Sequence, residues 1–139
     1  EDVAARLHRA VLDALPPTEA DAVAADAGRR TAAYILAHRI PRPVQWLLRA
    51  LPPRPAARML TGAIGRHAWT FAGSGAFSGR PGNPVVLEIA GNPLALPGCP
   101  WHRAVFEGLY GALVSPRVRV RETACCACGA SSCRYEIAY

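Results

Sequence analysis

The chain has no lysine: all 16 of its basic residues are arginine. That absence excludes a lysine nucleophile or a Schiff-base mechanism. Acidic residues are missing from a long stretch, with none between Asp26 and Glu88. Nine arginines occupy that stretch: Arg29, Arg30, Arg39, Arg42, Arg49, Arg54, Arg58, Arg66 and Arg80. A compositional bias toward Ala, Arg and Pro accounts for the missing lysine but not for the missing acids. An anionic ligand or an acidic partner does account for them, because guanidinium groups pair bidentately with carboxylates and phosphates. No apolar run approaches the roughly 18–20 residues that span a bilayer, and no signal-peptide pattern is present. The chain begins at Glu1 rather than at a methionine, which leaves open what precedes it.

Glycines do not fall in a dinucleotide-binding pattern. The best cluster, Gly73, Gly75 and Gly79, has the wrong last spacing and no clear following helix. No flavin signature is evident, and the cysteine spacing is unfamiliar for an iron–sulfur cluster. The arginine-rich segment lacks interleaved aromatics and any known reader motif, so nucleic acid is not an expected partner.

What is present suffices for a folded domain. The 139 residues are 51% hydrophobic with mean hydropathy +0.10, enough to build a core. A single α+β domain over 1–139 is expected, with a mainly helical part (1–67) and a sheet, helix and hairpin part (68–139). Val3, Leu7, Val11 and Ala14 recur at helical spacing until Pro16 and Pro17 stop them. Thr18 suits the N-cap of a helix reaching His38. A short helix over Val44–Leu51 and another from Pro55 to His67 follow, punctuated by prolines. Trp69–Phe77 reads as a strand, Gly79–Pro84 as a turn and Val85–Ile89 as a strand. A helix over Trp101–Leu113 ends at Pro116. Arg117–Arg121 and Cys133–Ile137 alternate as half-buried strands do and form a hairpin. The helices are expected on one side of a mostly antiparallel sheet.

Five cysteines are an odd number, and four of them, Cys125, Cys126, Cys128 and Cys133, lie within nine residues. The chain is too long and too apolar to need disulfide staples, so a reducing cytoplasm and a metal site fit better. Cys99, Glu122, Cys125 and Cys133 offer three thiolates and a carboxylate, a set able to close a tetrahedral shell around zinc. Cys125 and Cys133 would sit on the two limbs of the hairpin, with Gly129 at its turn. Cys126, Cys128 and His102 are rival ligands, and reduced core cysteines are the simpler alternative. The net charge of such a site is about −2, which Arg119, Arg121, Arg134 and local backbone N–H groups are placed to offset.

The run Glu122, Cys125, Gly129, Cys133 and Tyr135, with Cys99 upstream, resembles the vinyl-4-reductase domain family. In sensor members of that family the residues matching Cys99, Glu122, Cys125 and Cys133 bind zinc, so the resemblance implies a structural zinc here. The segments Thr31–Pro43, Arg66–Gly75 and Glu122–Cys128 look like the bacteriochlorophyll-biosynthesis branch, whose members are named for reduction of the 4-vinyl (8-vinyl) group. The extra thiols Cys126 and Cys128 depart from the four-ligand pattern. The resemblance implies a tetrapyrrole-binding protein that takes a divinyl (proto)chlorophyllide-type intermediate and assists reduction of its 8-vinyl group. A stand-alone vinyl reductase, or a module docking on a biosynthetic enzyme, is the alternative. A magnesium tetrapyrrole needs an aromatic wall, an axial ligand and an arginine for its carboxylate. Trp69, Phe71, Trp46 and Met59 are candidates for the wall. His67 is the candidate axial ligand, ahead of His38 and His102, and Arg58 or Arg66 would meet the carboxylate. By analogy a homodimer is expected, in the cytoplasm and peripheral to the photosynthetic membrane.

Overall fold

The computed structural model describes residues 2–139. Six helices, α1 (Asp2–Ala14), α2 (Pro17–His38), α3 (Arg42–Ala50), α4 (Pro53–Arg66), α5 (Trp69–Ala72) and α6 (Pro100–Leu113), accompany four strands. The strands are β1 (Ala76–Arg80), β2 (Val85–Ala90), β3 (Arg119–Ala124) and β4 (Ser132–Ala138). They form one antiparallel sheet in the order β1-β2-β4-β3. The α+β class is as expected from the sequence.

Proline writes the helix boundaries. Pro16, Pro41 and Pro52 each stand at an N-cap with extended backbone, and a further proline follows in the first turn. Thr18 lies inside α2 instead of capping it. The C-terminus of α2 is tied down by Gln45, whose Nε2 donates to the Leu36 and Ile40 carbonyls at 2.6 and 2.8 Å.

The sheet buries one face. Val85, Leu87 and Ile89 pair with Ile137, Tyr135 and Cys133, and all six are buried. The other face is polar, with Arg121 donating to Glu136 at 2.8 Å and Ser132 to Glu88 at 2.7 Å. Helix α6 packs over the buried face through Val105, Phe106, Leu109, Tyr110 and Leu113. Helix α2 packs on α6 through a stripe of small residues, Ala20, Ala24, Gly28 and Ala32. The approach is close: a Cβ on Gly28 would lie 2.4 Å from the Trp101 carbonyl oxygen, and one on Gly108 2.6 Å from the Ala32 Cβ. The Tyr110 and Thr61 hydroxyls, 2.8 Å apart, join α6 to α4.

Three expectations change. Trp69–Phe77 is not one strand. Ala68 and His67 carbonyls accept from the amides of Ala72, Phe71 and Thr70, which winds a short helix, and Gly73 at φ 55° ends it before β1. Helix α1 does not bury Val3 and Leu7, which are 71% and 61% exposed. It seats a narrower ridge instead, with Ala5 buried and His8 and Leu12 half-buried. The third strand starts at Arg119, because the amides of Arg117 and Val118 turn back to Ser115.

Candidate functional site

Four ligand-bearing residues converge where α6 meets the hairpin. Cys99 is the N-cap of α6 in a left-handed conformation (φ 40°, ψ 51°). Glu122 lies in β3, Cys125 follows that strand and Cys133 lies in β4. The three sulfurs and a carboxylate oxygen all fall within 4.8 Å of one another. Cys99 Sγ is 3.7 Å from Cys125 Sγ and 3.5 Å from Cys133 Sγ. A tetrahedral zinc with Zn–S near 2.3 Å requires sulfur–sulfur edges of about 3.8 Å. The observed spacing is therefore close to that of ligands around one ion.

A β-bulge makes this convergence possible. Residues three apart on a regular strand face opposite sides of a sheet, so Glu122 and Cys125 would diverge. Glu122 pairs with Tyr135 while Ala124 pairs with the next residue, Arg134. The inserted residue flips the alternation, and Glu122 and Cys125 both turn inward. Beyond Cys125 a single tight turn over Cys126–Cys128 ends at Gly129, whose φ of 93° suits glycine.

The chemistry of the donor set favours a cation. Glu122 Oε1 is buried with no hydrogen-bond partner, an arrangement that costs about 1–3 kcal/mol unless something accepts its charge. Cys133 Sγ accepts from Cys99, from the Cys126 N–H at 3.3 Å and from Asn92 Nδ2 at 3.3 Å. These contacts, the Cys99 bond first, lower the Cys133 pKa to about 5 against the opposing effect of burial. Donation to Cys133, together with burial, pushes the Cys99 thiol well up. Burial raises Cys125 to about 11. The cluster thus holds one thiolate and two thiols ready to lose protons to a metal. Tyr135, whose hydroxyl has no partner, is held neutral by burial and by the adjoining Cys99 and Cys133.

The rival ligands lie elsewhere. Cys128 is exposed, and the Cys126 sulfur turns toward the Ile89 carbonyl at 3.9 Å. His102 is buried, with Nε2 3.0 Å from the Phe71 carbonyl and its ring stacked on Tyr135. Burial lowers its pKa to about 4. The expected offset by Arg119 and Arg121 is not made: they extend from the opposite face, where Arg121 pairs with Glu136. The backbone N–H of Cys126 does contribute, and Asn92 is a donor that the sequence pattern did not single out. Its place just after β2, between Gly91 and Pro93, was the available signal.

A second feature is an apolar cleft of about 390 Å³ between the C-terminal ends of α2 and α4, floored by α5 and Leu109. His67, Trp69 and Phe71 line it, as do Tyr34, Arg39 and Ile40. Phe71 is mainly core, 3% exposed and packed on Phe106. Trp69 stands at the rim, 68% exposed. Trp46, Met59, Arg58 and Arg66 are not on this cleft. Arg58 lines a separate groove beside β1, Trp46 and Met59 face outward, and Arg66 is exposed. His38 does not line the cleft either, but its ring lies 4.7 Å from that of Tyr34. Tyr34 and Arg39 were not anticipated. Their signal is helical spacing, with Thr31, Tyr34, Ile35 and Arg39 on one side of α2.

A family model for the vinyl-4-reductase domain matches residues 88–138, the segment that supplies all four clustered ligands. The chain is 51% identical over 137 residues to the bacteriochlorophyll synthase 23 kDa chain of Cereibacter sphaeroides, an alignment that takes in 94% of this chain and 66% of that one. It is 43% identical over 113 residues to the protein of the same name from Rhodobacter capsulatus, taking in 78% of this chain and 53% of that one. The chain therefore spans a little under two thirds and about half of the lengths of these relatives. No solved structure matches.

Proposed function

The chain belongs to the vinyl-4-reductase domain family, and on that premise we propose that it serves bacteriochlorophyll biosynthesis by binding a divinyl chlorophyllide-type tetrapyrrole and assisting reduction of its 8-vinyl group. The observation that carries the reading is the cleft. It joins an apolar, aromatic wall to one imidazole and one guanidinium, the groups a magnesium macrocycle with a carboxylate side chain calls for. His67 supplies the axial nitrogen. Arg39, rather than Arg58 or Arg66, supplies the fork for the carboxylate. Tyr34 and Trp69 cover the ring face at the rim. The placement is cytoplasmic and peripheral to the membrane that houses the pigment pathway.

Zinc at Cys99, Glu122, Cys125 and Cys133 has a structural part in this proposal. Bound there, the ion supplies a cross-link between the start of α6 and the β3–β4 hairpin. Cys99 and Cys133 are 1% and 0% exposed, so the residues leave little room for the open position that catalytic zinc keeps. Asn92 and the Cys126 N–H orient and neutralise the Cys133 thiolate.

A second reading is favoured by the relatives' printed name, which makes them one chain of a synthase. In it the chain is an interaction module docking on a biosynthetic enzyme. Titration with a carboxylate-bearing magnesium porphyrin separates the two. Saturable binding, with a Soret shift that His67→Ala removes and an affinity that Arg39→Ala weakens by roughly tenfold or more, is the expected result. A chain that binds no porphyrin, while co-purifying with a biosynthetic enzyme, belongs to the second reading. Turnover of the vinyl group by the chain with only a chemical reductant would make it a reductase in its own right.

A further inference from the structure

Helix α3 is amphipathic the wrong way round for a water-facing helix. Its inward residues are Gln45 and Leu48. Its outward residues Pro43, Trp46, Leu47 and Ala50 recur at i, i+3, i+4 and i+7, and all four are exposed. Trp46 is 71% and Leu47 50% exposed. The inward glutamine is spoken for by the α2 carbonyls, so the helix cannot roll to bury its apolar stripe without breaking both bonds. Val44 adds a half-exposed side chain, and Met59 on the adjoining α4 is 45% exposed.

Charge of one sign surrounds this stripe. Arg42, Arg54 and Arg58 are exposed, and no acidic residue lies between Asp26 and Glu88. Among the described residues the arginines in ion pairs are Arg29, Arg30 and Arg121, none of them on α3 or α4. An apolar stripe with tryptophan, rimmed by arginine alone, matches a plane that is uniformly negative with hydrocarbon beneath it. Protein surfaces mix both signs, and a protein partner would be expected to meet at least one acid here. Tryptophan also favours the headgroup boundary of a bilayer.

We propose that the outward face of α3, with Met59 and the flanking Arg42, Arg54 and Arg58, docks the protein on an anionic lipid bilayer. The contact is interfacial, since no helix among the described residues is long and apolar enough to cross a membrane. Met59, Ala63 and His67 follow one another at four-residue steps on α4, and Ala63 and His67 line the cleft. The docked face therefore runs along the helix to the cleft, where a lipophilic ligand could pass from bilayer to protein. This deepens the peripheral placement proposed above and rests on that reading for its biological setting alone.

The test is flotation of the pigment-free chain with vesicles of phosphatidylcholine, and of phosphatidylcholine mixed equally with phosphatidylglycerol. Binding to the anionic vesicles with a blue shift of tryptophan emission is expected, with little binding to the neutral ones. The double variant Trp46→Ser/Leu47→Ser should bind at least roughly tenfold more weakly. Arg54→Gln/Arg58→Gln should lose roughly thirtyfold, at about fivefold per arginine. All four positions are exposed, so both variants should melt with the parent, and melting curves check this. No binding to anionic vesicles overturns the proposal and leaves α3 as a protein-docking face. Undiminished binding by the Trp46→Ser/Leu47→Ser chain overturns the assignment of the face. Because the assay contains no pigment, failure of the porphyrin titration leaves its outcome unaffected, and the reverse holds too.

Discussion

Two glycine-to-alanine substitutions in two helices should shift stability in opposite directions. At Gly28 in α2, a Cβ would sit 2.4 Å from the Trp101 carbonyl oxygen and 2.8 Å from the Ala104 Cβ. Restoring an ordinary contact of 3.4 Å takes about 1 Å of movement between α2 and α6. The obstacle is backbone, which cannot swing away as a side chain can. Overpacking of this kind costs about 1–3 kcal/mol, and the gain in helix propensity returns up to about 1 kcal/mol. Gly28→Ala should therefore lose on the order of 1–2 kcal/mol, a fall in Tm of roughly 4–10 °C for a chain this size. At Gly62 in α4 nothing outside the helix lies within 4 Å of the same Cβ, so Gly62→Ala should gain about 0.5–1 kcal/mol. The displacement at Gly28 also reaches the thiol cluster, because α6 carries Cys99 at its start. Metal–ligand distances tolerate only about 0.2 Å, so chelator competition should show zinc held roughly tenfold more weakly or worse. Thermal melts with and without zinc decide the matter. A Gly28→Ala chain that melts at or above the parent would refute the close helix contact and everything derived from it.

Elemental analysis should find one zinc per chain, and Cys125→Ser or Cys133→Ser should reduce it to a small fraction; a full complement in either variant would exclude these ligands. Zinc binding should release close to two protons above pH 6, because Cys133 is lowered to about 5 while Cys125 is raised to about 11 and Cys99 is raised as well. Affinity should then rise by up to about a hundredfold per pH unit in that range, which calorimetry in buffers of different ionisation enthalpy measures. His102 titrates at about 4 in the fold against 6.5 unfolded, chiefly through burial, so the unfolded chain binds the extra proton between those values. Stability should be complete above pH 6.5 and decline as pH falls toward 4, by about 3 kcal/mol in all. In His102→Leu the decline over that window should be absent from pH-dependent denaturation midpoints.

The elements were legible wherever a local rule dominated. Prolines marked the helix starts, and alternation marked β2 and β4. The same rules misled at Trp69–Phe77, where aromatic and β-branched residues suggested a strand. There the chain winds one helical turn because it must reverse between α4 and β1, and Gly73 permits it. Val3 and Leu7 misled in the other direction: helical periodicity locates an apolar stripe without saying whether a partner covers it. The four clustered ligands were legible because Cys99, Glu122, Cys125 and Cys133 stand in a recognisable spacing. The bulge that turns both Glu122 and Cys125 inward was not, since odd spacing on one strand predicts opposite faces. The cleft was half legible. His67 and Trp69 were found as an aromatic cluster, but Tyr34 and Arg39 reach it from α2, roughly thirty residues away along the chain.

The two features are not independent of each other, and α6 is the reason. Cys99 begins that helix, and three residues on, His102 bonds the Phe71 carbonyl at 3.0 Å, in the segment that floors the cleft. The His102 ring also rests on Tyr135, which adjoins Cys99 and Cys133. Anything that fixes Cys99 thus fixes the turn on which His102 stands, and through it the position of α5. A structural cross-link at the cluster would then act on ligand binding without touching the ligand. Its removal should loosen the cleft floor before it unfolds the chain, since Leu60, Ile64 and Leu109 hold the remaining walls within the main core. The spacing of thiols along the sequence is therefore best understood as part of the architecture that supports the cleft.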